Sequence, residues 1–303
     1  MTALFTAQLA IYAVLSLPVL YLLYRHGSPG FLGWGYLFAF CTLRIVGGAM
    51  STGNSSRSGA DIISSVGISP LLLTVDGILH EAKTYRNPEL NKRLEWTFIA
   101  FIHVLVATGV ALVGTGASAL AGNDANPNDL TLIKVGMALL EACWATLVLA
   151  TLIALLPSQH RQDAPAHTEG TRLLCAVLVS LVFIGIRVLY GLVAESTQKA
   201  DLNPVTGSLA IRVVLSFLPE LIAVLIFVFE GFRTRDVQRY QKMDRTQPAS
   251  SRWTQLGLIR WCRQFHGVNP NLNLLLGSVG IGKTQYEDAV LVTRTTYLIP
   301  SVK

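Results

Sequence analysis

The chain of 303 residues is 51% hydrophobic and only 14% charged, with a mean hydropathy of +0.49, whereas soluble domains typically carry about 25% charged residues. That composition excludes an ordinary soluble domain. The net charge of +6 does not mark a nucleic-acid binder, because the basic residues are spread through short loops and the tail instead of forming one face interleaved with aromatics.

In chain order, apolar runs fall at 4–24, 31–50, 60–80, 95–119, 130–156, 171–194 and 208–232. A helix crossing roughly 30 Å of hydrocarbon at about 1.5 Å per residue needs about 20 mostly apolar residues. The runs therefore predict an all-α polytopic membrane protein, a seven-transmembrane-helix bundle over 1–235 followed by a basic tail over 236–303. No Lys or Arg precedes Arg25, so the first run lacks the positive start of a cleavable leader and reads as the first span. Cys41, Cys143 and Cys175 lie within apolar runs and Cys262 in the tail, where they read as small packing residues.

The loop charges give the bundle a direction. Arg25, Lys83, Arg86, Lys92, Arg93, Arg161, Arg172, Arg233, Arg235, Arg239, Lys242 and Arg245 flank one side, and only Arg57 and Lys199 the other. By the positive-inside rule the N-terminus is expected outside and the C-terminus in the cytoplasm, in the endoplasmic reticulum or plasma membrane. Asn54-Ser55-Ser56 is a glycosylation sequon in a loop expected outside.

In the tail, residues 252–265 have the pattern of an amphipathic surface helix, with Leu258, Trp261, Cys262 and Phe265 opposite Arg252, Arg260 and Arg263. Further on, Gly277 to Thr284 satisfies G-x-x-x-x-G-K-[ST], the phosphate-cradling loop of nucleotide-binding proteins. That loop works only where it opens a helix beside a sheet that also supplies a magnesium carboxylate, and 19 residues after Thr284 leave no room for one. The match reads as coincidence, with no nucleotide and no other cofactor expected.

Ionisable residues inside spans are costly and are the first place to look for function. Arg44, Arg187, Lys134 and Arg212 fall in the outer part of the expected bundle, and Glu141 and Glu220 nearer its middle. Lys134 and Glu141 share a helix face, as do Arg212 and Glu220 more loosely. Together they predict either an outer pocket favouring an anionic or oxygen-rich guest, or charge pairs that simply hold the helices. Pro219 removes a backbone donor and frees the Leu215 carbonyl beside Glu220. A second group, Asp76, His80, Glu81, His103 and Glu230, lacks a metal-binding pattern, so no metal is expected, and reads as solvated helix ends.

Tyr24-Arg25-His26-Gly27, Gly33-Trp34, Leu43-Arg44-Ile45-Val46-Gly47 and Ser65-Val66-Gly67-Ile68-Ser69-Pro70-Leu71-Leu72-Leu73 resemble a fungal family of seven-span membrane proteins catalogued as a domain of unknown function. Ile186-Arg187-Val188-Leu189-Tyr190 and Leu218-Pro219-Glu220-Leu221-Ile222 are similar to its last two helices. The resemblance covers about residues 1–235. It implies that Arg44, Arg187 and Glu220 belong to the family pattern, and it implies no activity.

Three functions compete. One is a cyclase or isomerase, or an accessory protein, acting on a lipophilic intermediate such as a terpenoid in fungal secondary metabolism. Glu220 would be its acid, Glu141 its partner, and Arg44, Arg187, Tyr190 and Arg212 would contact the ligand. The second is a seven-helix receptor or small-solute transporter using the same pocket, and the third a membrane scaffold. The expected partners are the lipid bilayer and a lipophilic or anionic small molecule.

Overall fold

A computed structural model describes residues 2–52, 67–87, 89–120, 127–156, 166–197, 200–202 and 207–237. The glycosylation sequon at Asn54, the surface helix proposed for 252–265 and the Gly277–Thr284 motif lie outside the described residues.

All regular structure among the described residues is helical. Helix α1 spans Thr2–Thr52, α2 Ser69–Arg86, α3 Lys92–Leu120, α4 Pro127–Leu155 and α5 His167–Thr197. A short 3-10 turn, Ala200–Leu202, leads to α6, Leu209–Arg212, which runs through a π-helical turn, Val213–Phe217, into α7, Leu218–Thr234.

Helix α1 is a hairpin of two helices. The break is at Gly27, with φ 56° and ψ −148°, a conformation essentially reserved for glycine because a Cβ clashes there. Beyond it the chain returns alongside itself: the rings of Tyr12 and Phe40 meet edge-on at 5.5 Å, and near the far end Gly48 packs against Phe5 and Leu9.

Among the described residues five apolar stretches are long enough to cross a membrane: Leu4–Ser51, Lys92–Leu120, Asn128–Leu155, His167–Thr197 and Leu209–Thr234. Their outward faces carry Leu17, Phe31, Phe101, Val104, Val182 and Phe229 exposed, which suits an integral membrane protein surrounded by lipid.

Helix α2 differs from these five. It carries Asp76, His80, Glu81, Lys83 and Arg86, yet most of its residues are buried, because α1, α3, α4 and α5 all pack against it. A helix surrounded by protein need not be apolar on every face, since no lipid touches it. Its 18 residues span about 27 Å at a rise of about 1.5 Å each. Close approach to α1 rests on Gly33 facing Gly77, where a Cβ on either would strike the other helix's backbone. Such small-residue contacts let membrane helices pack closely.

Of the span expected at 60–80, residues 60–66 lie outside the described residues, and the helix over the remainder runs Ser69–Arg86. Pro70 fits the first helical turn, where the missing N–H costs nothing. The helix continues past the apolar run because Glu81, Tyr85 and Arg86 are buried in protein contacts, and the Arg86 guanidinium donates to the Ala154 carbonyl of α4. Cys41 and Cys143 are buried as expected, but Cys175 is exposed.

Candidate functional site in the helix bundle

Three charged side chains from three helices converge at the end of the bundle remote from the Gly27 turn. Arg44, 17 residues beyond that turn on the returning arm of α1, donates from Nη2 to Glu220 Oε1 of α7. Arg187 of α5 donates from Nε to the same oxygen at 2.8 Å. All three are buried, and arginine is always charged. Two guanidiniums thus converge on one carboxylate oxygen inside an apolar bundle.

The local backbone helps aim Glu220. Pro219 cannot donate to the carbonyl four residues back, and the helix widens just before it: the Leu218 N–H reaches the Val213 carbonyl, five residues away. Such a π-turn is a frequent mark of functional positions. Phe217, at its end, lies edge-on to Tyr12 with ring centroids 6.4 Å apart.

Tyr12 is fully buried and within electrostatic reach of Glu220, Arg44 and Arg187. Its hydroxyl, Glu220 Oε2 and Arg44 Nε all lack a hydrogen-bond partner among the described residues. An unsatisfied buried polar group costs about 1–3 kcal/mol, so three orphaned atoms around one ion cluster are a standing demand for a further oxygen or nitrogen. Around them, Arg44 packs on the Phe40 ring at 5.2 Å and Arg187 lies 5.8 Å from the Tyr190 ring. The Tyr190 hydroxyl donates to the Leu202 carbonyl at 2.9 Å, and Arg212 lies 5.0 Å from the Phe5 ring.

Glu141 is not brought to this cluster. It lies half-buried on α4, and no hydrogen bond or ion pair links it to Glu220 among the described residues. Lys134, also on α4, makes no described contact with the cluster either. Tyr12 was missed by the sequence reading, since nothing distinguishes it from Tyr21 or Tyr24 in the same run.

A second buried network sits at the Gly27 end, and the sequence reading singled out its Glu81 only as a solvated helix end. His26 Nδ1 lies 2.7 Å from Glu81 Oε1, and Nε2 lies 3.0 Å from the Gly231 carbonyl of α7. Trp34 Nε1 donates to Glu81 Oε2 at 3.0 Å and the Tyr85 hydroxyl to Oε1 at 2.7 Å. Both imidazole nitrogens face acceptors, which requires both to carry protons. His26 lies in the turn between the first two apolar runs. Burial there disfavours its charge, but the Glu81 charge and hydrogen bond and the Gly231 carbonyl prevail, raising its pKa above the ordinary 6.5. Full burial of Glu81, and of Asp76 on the same helix, overturns their reading as solvated helix ends.

The profile of one family, described as Domain of unknown function (DUF7702), matches residues 3–237. The chain belongs to that family. The matched region includes every residue of both buried networks. No curated protein and no solved structure matches the chain.

Proposed function

We propose that this member of the family is a seven-span protein, N-terminus outside and C-terminus cytoplasmic, that holds the oxygen-bearing head of a lipophilic small molecule at Arg44, Arg187, Glu220 and Tyr12. The observation that carries the reading is the set of orphaned atoms, Tyr12 Oη, Glu220 Oε2 and Arg44 Nε, around the Arg44–Glu220–Arg187 cluster. An anionic or strongly accepting head group supplies the missing acceptor for Arg44 and Tyr12. The two arms of α1, together with α2 and the five helices' remaining members, supply the seven spans, and the loop charges supply their direction.

Glu220 already accepts from two guanidiniums, an arrangement that suits anchoring better than proton donation. A cyclase or isomerase using it as acid would have to deliver a proton from Oε2. In this reading Tyr190 and Arg212 frame the guest as neighbours of the cluster.

The test uses the full-length protein in nanodiscs and dodecanoate, dodecyl phosphate and dodecanol as matched probes. The expected result is a rise in thermal midpoint with the two anionic probes, little with the alcohol, and loss of that difference in Arg44→Gln. Equal stabilisation by all three probes, or by none, overturns the reading. Turnover of an isoprenoid by the same preparation would add catalysis, and ligand-driven uptake into vesicles would assign transport.

A further inference from the structure

A line of titratable groups runs along one face of α2, beside the His26–Glu81 network. Asp76, His80 and Lys83 are spaced four and three apart, which places them on one stripe. They face α3: His80 Nδ1 lies 3.5 Å from Glu95 Oε2, and Lys83 Nζ 3.4 Å from Glu95 Oε1. Glu95 stands in the first turn of α3, next to the turn joining the two helices, where Glu89, Asn91 and Arg93 reach the surface. The stripe thus begins near water and ends at Asp76, about 10 Å further along the axis at roughly 1.5 Å per residue.

Asp76 itself is fully enclosed. Its Oδ2 has no hydrogen-bond partner among the described residues, and the nearest base, His103 Nδ1 of α3, stands 3.8 Å away. That imidazole is already engaged, with Nδ1 2.8 Å from the Ile99 carbonyl and Nε2 2.9 Å from the Tyr36 hydroxyl. The first contact puts a proton on Nδ1 and directs it to the Ile99 carbonyl. The other titratable groups within electrostatic reach of Asp76 are Tyr36 of α1, Cys143 of α4, and His80, Lys83 and Glu95. A carboxylate oxygen sealed in this surrounding, with neither a donor nor water access, calls for a cation. Among the described residues no three His, Cys, Asp or Glu side chains are arranged to hold a metal, and the smallest guest that meets the need is a proton.

We propose that Asp76 is a proton-binding site inside the bundle, exchanging its proton with the α2–α3 turn through Glu95 and His80. A proton taken up by the Glu95 carboxylate passes to His80 Nδ1. The imidazole then releases a proton from its other nitrogen to Asp76, one helical turn away. Each hand-over breaks one O–H or N–H bond and forms another, so the net change is the Asp76 carboxylate converted to a carboxylic acid and the remaining His80 proton shifted from Nε2 to Nδ1, which a ring flip resets. Embedded carboxylate and histidine lines of this kind are how membrane proteins move protons. The site is separate from the Arg44–Glu220 cluster and does not depend on what binds there.

Infrared difference spectroscopy on the full-length protein in nanodiscs tests this. A protonated-carboxyl C=O band is expected to appear as pH falls, to shift when aspartate is carbon-13 labelled at its side-chain carboxyl, and to vanish in Asp76→Asn. The label makes the test independent of whether that variant folds: a band that does not shift, or no band in the wild type, overturns the proposal, as does one that survives in Asp76→Asn. His80→Gln should keep the band while slowing its response to a pH jump by roughly 100-fold, the scale of a lost acid–base group. An unchanged rate overturns the route.

Discussion

Arg187 Nε and Glu220 Oε1 meet at 2.8 Å across α5 and α7, and the oxygen they share with Arg44 makes this contact the charged centre of three helices. Removing the carboxylate takes away the oxygen on which two buried guanidiniums converge. Breaking a buried ion pair by deleting one partner typically costs about 3–5 kcal/mol. Glu220→Gln is therefore expected to lower stability on that scale, read as a fall in the midpoint of denaturant unfolding in detergent. A loss under about 1 kcal/mol, the scale of an exposed pair, would show that the pair is solvated.

The His26 network predicts a pH dependence with a definite sign. The folded pKa is raised above the ordinary 6.5 by Glu81 and the Gly231 carbonyl. The stabilisation is then fully present below 6.5 and is lost as pH rises through the folded value. Thermal midpoints should fall across that alkaline interval in the wild type, and the fall should flatten in His26→Gln. A midpoint that instead rises through the same interval would contradict the assignment.

Trp34 isolates one bond of the same network. Trp34→Phe keeps an aromatic ring against His26, whose centroid is 4.6 Å away, but removes the only Trp34 donor to Glu81 Oε2. Leaving that buried oxygen unsatisfied should cost about 1–3 kcal/mol. The measurement is the unfolding midpoint, and it should move less at alkaline pH, where the network is already weakened.

Gly27 tests the hairpin. With φ at 56° and ψ at −148°, Gly27→Ala forces a Cβ into a region costing about 1–3 kcal/mol. The variant should lose stability by that amount, whereas Gly35→Ala, whose added Cβ would meet nothing nearer than 3.9 Å, should be close to neutral. Equal effects at the two positions would show that the turn does not depend on glycine.

By itself the sequence determined the helical membrane character, because long apolar runs have few other uses, and the family membership, because strings such as Leu218-Pro219-Glu220 carry it. It also singled out Arg44, Arg187 and Glu220, since charges within apolar runs are visible without coordinates. Their meeting on one oxygen was decided by tertiary structure, because it depends on how three helices rotate about their axes, which run length and composition leave free. The same freedom kept Glu141 away from Glu220 and brought in Tyr12. Helix α2 shows the reason most plainly: Asp76 and Glu81 look like wet helix ends in the sequence, and only the packing of α1, α3, α4 and α5 around them makes that stretch the buried polar centre of the bundle.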